Sequence, residues 1–237
     1  MNDTLSLFPP RSRAGDADTD PHAIRHVIIL GHPSATGFAQ AIAATYRNAV
    51  TDCRQHAEIR DLYALGFDPL LRLDPRADRP APAPDIAAEI AALVEAAVIT
   101  FVYPLWFGMP PAIIKGYIDR VLGAGFTVHD LGAAASPSPW RGKRMVSFSS
   151  SASTRPWLEE QGQWVSLRHG IDSYLATIFD LVDGGHVHFD AIVERVSPGY
   201  VAECLAQVED KARQTSAAVL SARHAEHNQA RRDHPLS

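Results

Sequence analysis

Three short stretches carry residue types suited to holding a ligand. In "HPSATGF" (32–38) the hydroxyls of Ser34 and Thr36 and a run of backbone N–H groups fall just before a segment of helical periodicity, which suits an anion such as phosphate. A plain polar helix cap uses the same residue types, so this loop by itself leaves both readings open. It is not a Walker A loop, because no Lys-Ser/Thr pair follows Gly37, and Gly31 and Gly37 do not make the G-x-G-x-x-G fingerprint. Phosphoryl transfer would lack its lysine and its metal ligand.

The second stretch, "YPLWFGMPP" (103–111), places Trp106 and Phe107 on a turn beside Gly108. Two aromatics can cover a flat ring, and a glycine lets backbone N–H groups approach the polar edge of that ring. A flavin asks for both; packing of the aromatics onto the sheet or onto a partner subunit is the alternative. The third stretch, "SSSAS" (149–153), ends an apolar run with hydroxyls that complete such a site only if the fold brings it beside the other two. It does not form a G-x-S-x-G elbow, which argues against a hydrolase.

The elements that must position these loops follow from periodicity. "HVIILG" reads as a first strand, "GFAQAIAATYRNAV" as a helix and "AEIRDL" as a second strand. Prolines 75, 80, 82 and 84 then mark a long surface connection. "DIAAEIAALVEAA", with Asp85 as N-cap, leads into a buried strand "VITFVYP", and "PAIIKGYIDRVL" is a helix with Pro111 at its first turn. "KRMVSFSSS" is the fourth strand, "GIDSYLATIFDLV" a helix, "HVHFDAIV" the fifth strand, and "GYVAECLAQVEDKARQTSAAVLSAR" a closing helix opened by Pro198 and Gly199. Strands alternating with helices imply right-handed crossovers and a doubly wound parallel sheet. Ligands of such sheets sit beyond the carboxyl ends of the strands, where all three loops fall.

The 237-residue chain, 46% hydrophobic and 21% charged, can bury one core, so one domain is expected. A formal charge of -5 gives no basic surplus for phosphates, and nucleic acid is not an expected partner. Cys53 and Cys204 have neither disulfide-framework nor metal spacing, which fits a reducing, cytoplasmic setting with no metal site. No stretch is long and uncharged enough for stable membrane insertion. Residues 1–24 are expected as a disordered leader, 25–222 as the domain and 223–237 as a disordered tail whose histidines and arginines are solvated rather than metal-binding. Arginines 72, 76, 79, 155 and 168 read as surface charges, each also placed to meet a ribose phosphate.

"HVIILGHPSATGFAQAI", "EIRDLYALGFDPLL", "DIAAEIAALVEAAVITFVYPLWFGMPPAIIKGYIDRVL" and "GKRMVSFSSSAS", in that order over about residues 25 to 215, resemble the NAD(P)H:quinone oxidoreductase family of flavodoxin-like flavoproteins. Its relatives include FMN-dependent azoreductases and ancillary subunits of potassium efflux systems. The resemblance implies a five-stranded sheet of order 2-1-3-4-5 with helices on both faces. It also implies a homodimer with one flavin per subunit, reduced by NADH or NADPH and reoxidised by a quinone-class acceptor. By position, His32, Thr36, Phe38 and Ala39 fall where the family holds the phosphate and ribityl chain. Pro104, Leu105, Trp106, Phe107 and Gly108 fall where it lines the flavin ring, and Ser149, Ser150 and Ser151 where it completes the ring site.

The sequence also departs from that pattern. Animal quinone reductases place a tyrosine and then a histidine after the fourth strand. Here Trp157 stands at the tyrosine position, and His169 lies several residues late, where an ordinary polar residue before the next helix is the favoured reading over a catalytic one. These two are the candidates for catalytic side chains. The long C-terminal extension of the animal enzymes is missing, which favours FMN over FAD. The rival to an enzyme is an FMN-binding regulatory subunit of a transporter, or an electron carrier; the modest charge and the aromatic loop favour the enzyme.

Overall fold

The computed structural model describes residues 23–72, 82–124 and 138–233. Five strands, β1 (Arg25–Leu30), β2 (His56–Asp61), β3 (Val98–Pro104), β4 (Arg144–Ser150) and β5 (Val182–Phe189), form one parallel sheet in the order β2-β1-β3-β4-β5. The expected fold class is the one observed.

Central β3, "VITFVYP", is buried at every position, as a strand covered on both faces must be. Its alternate residues divide between two cores: Ile99, Phe101 and Tyr103 face one layer, Val98 and Val102 the other. The first core is closed by α2 (Pro84–Glu95) and α3 (Ala112–Tyr117), which runs on as a π-helical turn (Ile118–Leu122). The second is closed by α1 (Phe38–Asp52) and α7 (Pro198–Asp233). At the carboxyl end of β1, a Cβ on Gly31 would lie 2.5 Å from Ile114, so only glycine lets the strand end this close to α3.

Three boundaries differ from expectation. The helix placed at Asp85 begins at Pro84, whose fixed φ suits a first helical position; Asp85 lies in the first turn and pairs with Arg120 at 3.6 Å. The fifth strand covers "VDGGHVHF" rather than "HVHFDAIV". It lasts only as long as its partner β4, whose Ser150 pairs with Phe189, and Ala191 beyond it has φ 52. The helix expected before it starts earlier and in pieces: α4 (Arg155–Glu160), α5 (Gln163–Leu167), a π-helical turn (Arg168–Ser173) and α6 (Tyr174–Ile178).

The closing helix continues to Asp233, so residues 223–233 are helical where a disordered tail was expected; they are rich in helix formers and precede Pro235. Residues 1–22 and 234–237 lie outside the described residues, as do Arg76 and Arg79. Among the described residues no helix is long and apolar enough to cross a membrane.

Candidate functional site

The loops after β1, β3 and β4 meet because their strands are adjacent and parallel, with Leu30 opposite Val102 and Pro104 opposite Ser150. In the first loop, Ser34 donates its hydroxyl to the carbonyl of Thr36 (2.5 Å) and receives the Thr36 N–H (3.3 Å). The Ser34 N–H is held by His32 Nδ1 at 3.1 Å. The hydroxyl is thus spent within the loop, and no side chain caps α1. The first-turn N–H groups of α1 are left for a ligand, at the end of the helix that favours an anion.

The second loop is a two-residue turn. Trp106 and Met109 exchange backbone hydrogen bonds (2.9 and 3.1 Å), and the residues between them have positive φ, 50 at Phe107 and 77 at Gly108. Both signs belong to a type I′ turn, which asks for glycine at one position and puts strain on the other. The result presents Phe107 wholly to solvent, with Trp106 41% and Met109 51% exposed. The His32 and Trp106 rings lie 6.4 Å apart, joining the first two loops. Gln163 Nε2 donates to the Gly108 carbonyl (2.9 Å), and the Leu105 N–H donates to the Ser150 carbonyl (2.7 Å), which ties the second loop to α5 and to the end of β4.

The third loop leads to a cluster that sequence reasoning missed. Ser149 Oγ lies 2.6 Å from His186 Nε2 and 2.8 Å from His188 Nδ1. His186 Nδ1 is 2.7 Å from Asp172, which also accepts from the Ser147 hydroxyl (3.0 Å) and from Arg168 (3.0 Å). His188 Nε2 is 3.1 Å from the Ser151 hydroxyl. Trp164 packs against both imidazoles, and the Arg155 guanidinium sits 4.4 Å over Trp164. Burial, then the neighbouring His186, holds His188 down to about 4, with Asp190 pulling the other way. Asp190 is itself held low, chiefly by the Arg155 N–H at 2.8 Å.

Of the expected residues, His32, Thr36, Leu105, Trp106, Phe107 and Gly108 stand on the first two loops at the edge where the strands end. Phe38 packs edge-on to Phe189 (5.4 Å) and Ala39 is buried, so these two offer backbone rather than side chains. Pro104 is the last residue of β3 and is buried. Ser149 turns its hydroxyl into the histidine cluster, Ser150 contributes its carbonyl, and Ser151 links loop and cluster. Trp157, 51% exposed on α4, and His169, exposed on the π-helical turn, stand outside the cluster. The signal for the missed pair was present: in "HVHF" two histidines one residue apart share a strand face.

The model of a family described as flavodoxin-like fold matches residues 25–215. The chain belongs to this family. Within it, the chain is 34% identical over 149 residues to an uncharacterized NAD(P)H oxidoreductase of Haemophilus influenzae, covering 62% of this chain and 73% of that protein. It is 32% identical over 133 residues to NAD(P)H dehydrogenase [quinone] 1 of Rattus norvegicus, a match that takes in 46% of this chain and 48% of the rat protein. The chain thus spans about half the length of that mammalian relative. Among solved structures it is similar in fold to an NAD(P)H:quinone oxidoreductase from Methanothermobacter marburgensis, with TM-score 0.66 and 20% identity over 81% of this chain and 97% of the other.

The residues present fit a flavin phosphate and ring. An uncapped helix terminus stands ready for an anion, and beside it an exposed aromatic turn has a glycine at its apex.

Proposed function

We propose that this chain is a flavin-dependent NAD(P)H oxidoreductase that passes two electrons from NADH or NADPH to a quinone-class acceptor. The observation that carries this reading is the juxtaposition of the uncapped α1 terminus with the open Trp106-Phe107-Gly108 turn, joined through His32 and Trp106 at 6.4 Å. The uncapped terminus suits a flavin phosphate, and FMN is the proposed cofactor with FAD as the alternative.

A bound flavin would supply hydride acceptance from the nicotinamide and hydride delivery to the acceptor. The chain's own part is positioning. The N–H groups of the first turn of α1 would hold the phosphate, with His32 and Thr36 beside it. Trp106 and Phe107 would cover the ring and keep water from it, and the backbone around Gly108 would offer hydrogen bonds at its polar edge. Ser150 and Ser151 would close the site on the β4 side. Two substrates that use one apolar pocket in turn need no nucleophile or metal from the chain.

The exposed Phe107, Trp106 and Met109 form an apolar surface, and we propose a homodimer that buries part of it. The free thiols of Cys53 and Cys204 suit a reducing compartment, and a cytoplasmic location is proposed with them.

The deciding experiment is the visible spectrum of the purified chain before and after anaerobic NADPH and, separately, NADH. A yellow protein that bleaches on addition is the expected result. A yellow protein that stays oxidised moves the carrier or regulatory-subunit reading ahead, and a chain that stays colourless after incubation with FMN and FAD sinks the flavin reading.

A further inference from the structure

His186 and His188 face Ser147 and Ser149 of β4 across the parallel pair, where His186 is registered with Ser147 and His188 with Ser149. The chemistry of the partners sets the direction of each hydrogen bond. The Asp172 carboxylate only accepts, so the imidazole of His186 donates from Nδ1, and with the ring neutral its Nε2 accepts the Ser149 hydroxyl. The Ser149 oxygen then accepts Nδ1–H of His188. With His188 neutral, its Nε2 accepts the hydroxyl of Ser151. An unbroken line of donors runs from Ser151 to Asp172.

The same atoms also satisfy the other charge state. If His188 gains a proton at Nε2, that N–H donates to the Ser151 oxygen, and the Ser151 hydroxyl turns to the Ser153 carbonyl, 2.8 Å away. Nothing else need move. Such a cluster stores a proton without leaving a buried group unpaired in either state. Asp172, His186 and Ser149 have the connectivity of a nucleophilic triad, but Ser149 is 0% exposed and its oxygen is already shared with His188, so no substrate reaches it.

We propose that this cluster is a proton relay for the redox site: His188 takes up the proton that accompanies reduction, Ser151 is its outlet toward the loop after β4, and Asp172, acting through His186 and Ser149, is its counter-charge. The proposal rests on the flavin-dependent reading of the site. The overall reaction, NAD(P)H plus quinone plus one proton giving NAD(P)+ and hydroquinone, fixes the balance. Hydride carries both electrons and one hydrogen nucleus, and the second hydrogen arrives as a proton. His188, whose residue is partly exposed, receives it from solvent; Ser151 gives its own hydrogen outward and is refilled from His188 Nε2. No electron moves within the relay.

The charged neighbours explain why uptake is conditional. Just beyond the end of β5, Asp190 favours the imidazolium, while His186 on the strand and Arg155 on α4 oppose it. The π-helical turn contributes Asp172 with its partner Arg168, which also reaches Asp183 at 3.4 Å. From β3, Tyr103 packs on His186, and burial pushes its phenol far above the usual range. From α7, Tyr200 donates to Asp190 at 3.0 Å. Burial and the cations keep His188 neutral at rest; a negative charge developing beside Ser151 would offset them and draw in the proton.

The test counts protons. Flavin-loaded protein is reduced anaerobically with NADPH at pH 7 in weak buffer with an indicator dye, beside His188→Gln. Hydride alone brings in no solvent proton, so the expected uptake is about one proton per flavin reduced in the parent and near none in the variant. If His188→Gln does not fold, Ser149→Ala carries the test, because it cuts the line to Asp172 and keeps both imidazoles; its uptake is expected to fall by at least about half. Equal uptake in parent and variant overturns the relay. Imidazole ¹⁵N spectra of the flavin-free chain give a second readout: Nδ1-protonated tautomers of His186 and His188 support it, and Nε2-protonated tautomers of both overturn it. A chain that binds no flavin overturns the functional reading, whereas a flavin-loaded chain without uptake overturns the relay alone.

Discussion

Gln163 on α5 donates from Nε2 to the carbonyl of Gly108 at 2.9 Å, and a Cβ built on Gly108 would come within 2.4 Å of that same side chain. The aromatic turn is therefore held from the β4 side of the site at the one residue that can bear neither a side chain nor, at φ 77, an ordinary backbone cost.

Gly108→Ala should displace Gln163 and strain the turn. The expected cost is about 1–2 kcal/mol, a fall of several degrees in Tm for a chain of this size. Flavin binding should weaken at least about tenfold, since the turn re-aims Trp106 and Phe107. Calorimetry and a fluorescence titration check both; an alanine variant that binds as tightly as the parent removes the argument for a glycine here.

Phe107→Ala should do the reverse. A wholly exposed ring contributes nothing to the isolated fold, so stability of the flavin-free chain should stay within about 0.5 kcal/mol. Flavin affinity, dimerisation or both should drop. Melting curves run beside sedimentation velocity and flavin titration separate these effects, and a marked loss of Tm in the flavin-free monomer would show that the ring packs within its own chain.

Acid should destabilise the fold before the carboxylates titrate. Burial holds His26 down to about 4 against a hydrogen bond to Gln55 that pulls it upward, and His188 lies at about 4 as well. An unfolded histidine binds its proton near 6.5, so between about 4 and 6.5 the unfolded state carries more protons. Stability is then complete above about 6.5 and falls as pH drops toward 4, by up to about 3 kcal/mol for His26 and less for the partly solvated His188. Urea midpoints from pH 7 to 4.5 measure the slope. His26→Gln should lower stability at pH 7, because it breaks the bonds to Tyr46 (3.0 Å) and Gln55 (2.8 Å), yet flatten the acid limb. An unchanged slope would mean that His26 is not its source.

Glu89 is buried, and Arg60 reaches both its oxygens from Nε at 3.1 and 3.2 Å while Tyr117 donates to it at 3.0 Å. Arg60→Met strands that carboxylate and should cost about 3–5 kcal/mol by denaturant unfolding. Adding Glu89→Gln should recover a good part of the loss; a double variant no better than Arg60→Met would place the cost in lost packing rather than in the charge.

The architecture was legible because it rests on local pattern. Apolar runs such as "HVIILG" and "VITFVYP" alternating with helical periodicity force a parallel sheet, and the three loops follow at its carboxyl edge whatever the details of packing. Boundaries were less legible where a neighbour sets them. β5 stops at Phe189 because β4 stops opposite, and no feature of "HVHFDAIV" states that.

The site divided in the same way. That a turn stands at Trp106-Phe107-Gly108 could be read from residue types, since a glycine followed by prolines marks a turn wherever it stands. The histidine cluster could not. Its hydrogen-bonded members come from β4, β5, the loop after β4 and the π-helical turn, and bonded partners lie up to 39 residues apart along the chain. His169 lay nearer in sequence to the place where a histidine was sought, yet it faces solvent while His186 and His188 reach Ser149. Sequence by itself determined which strands and loops exist, because periodicity and backbone chemistry act over a few residues. Only the tertiary structure decided which imidazoles meet at the Ser149 hydroxyl, because hydrogen bonds depend on strand register and distance, and those are fixed by packing across the sheet.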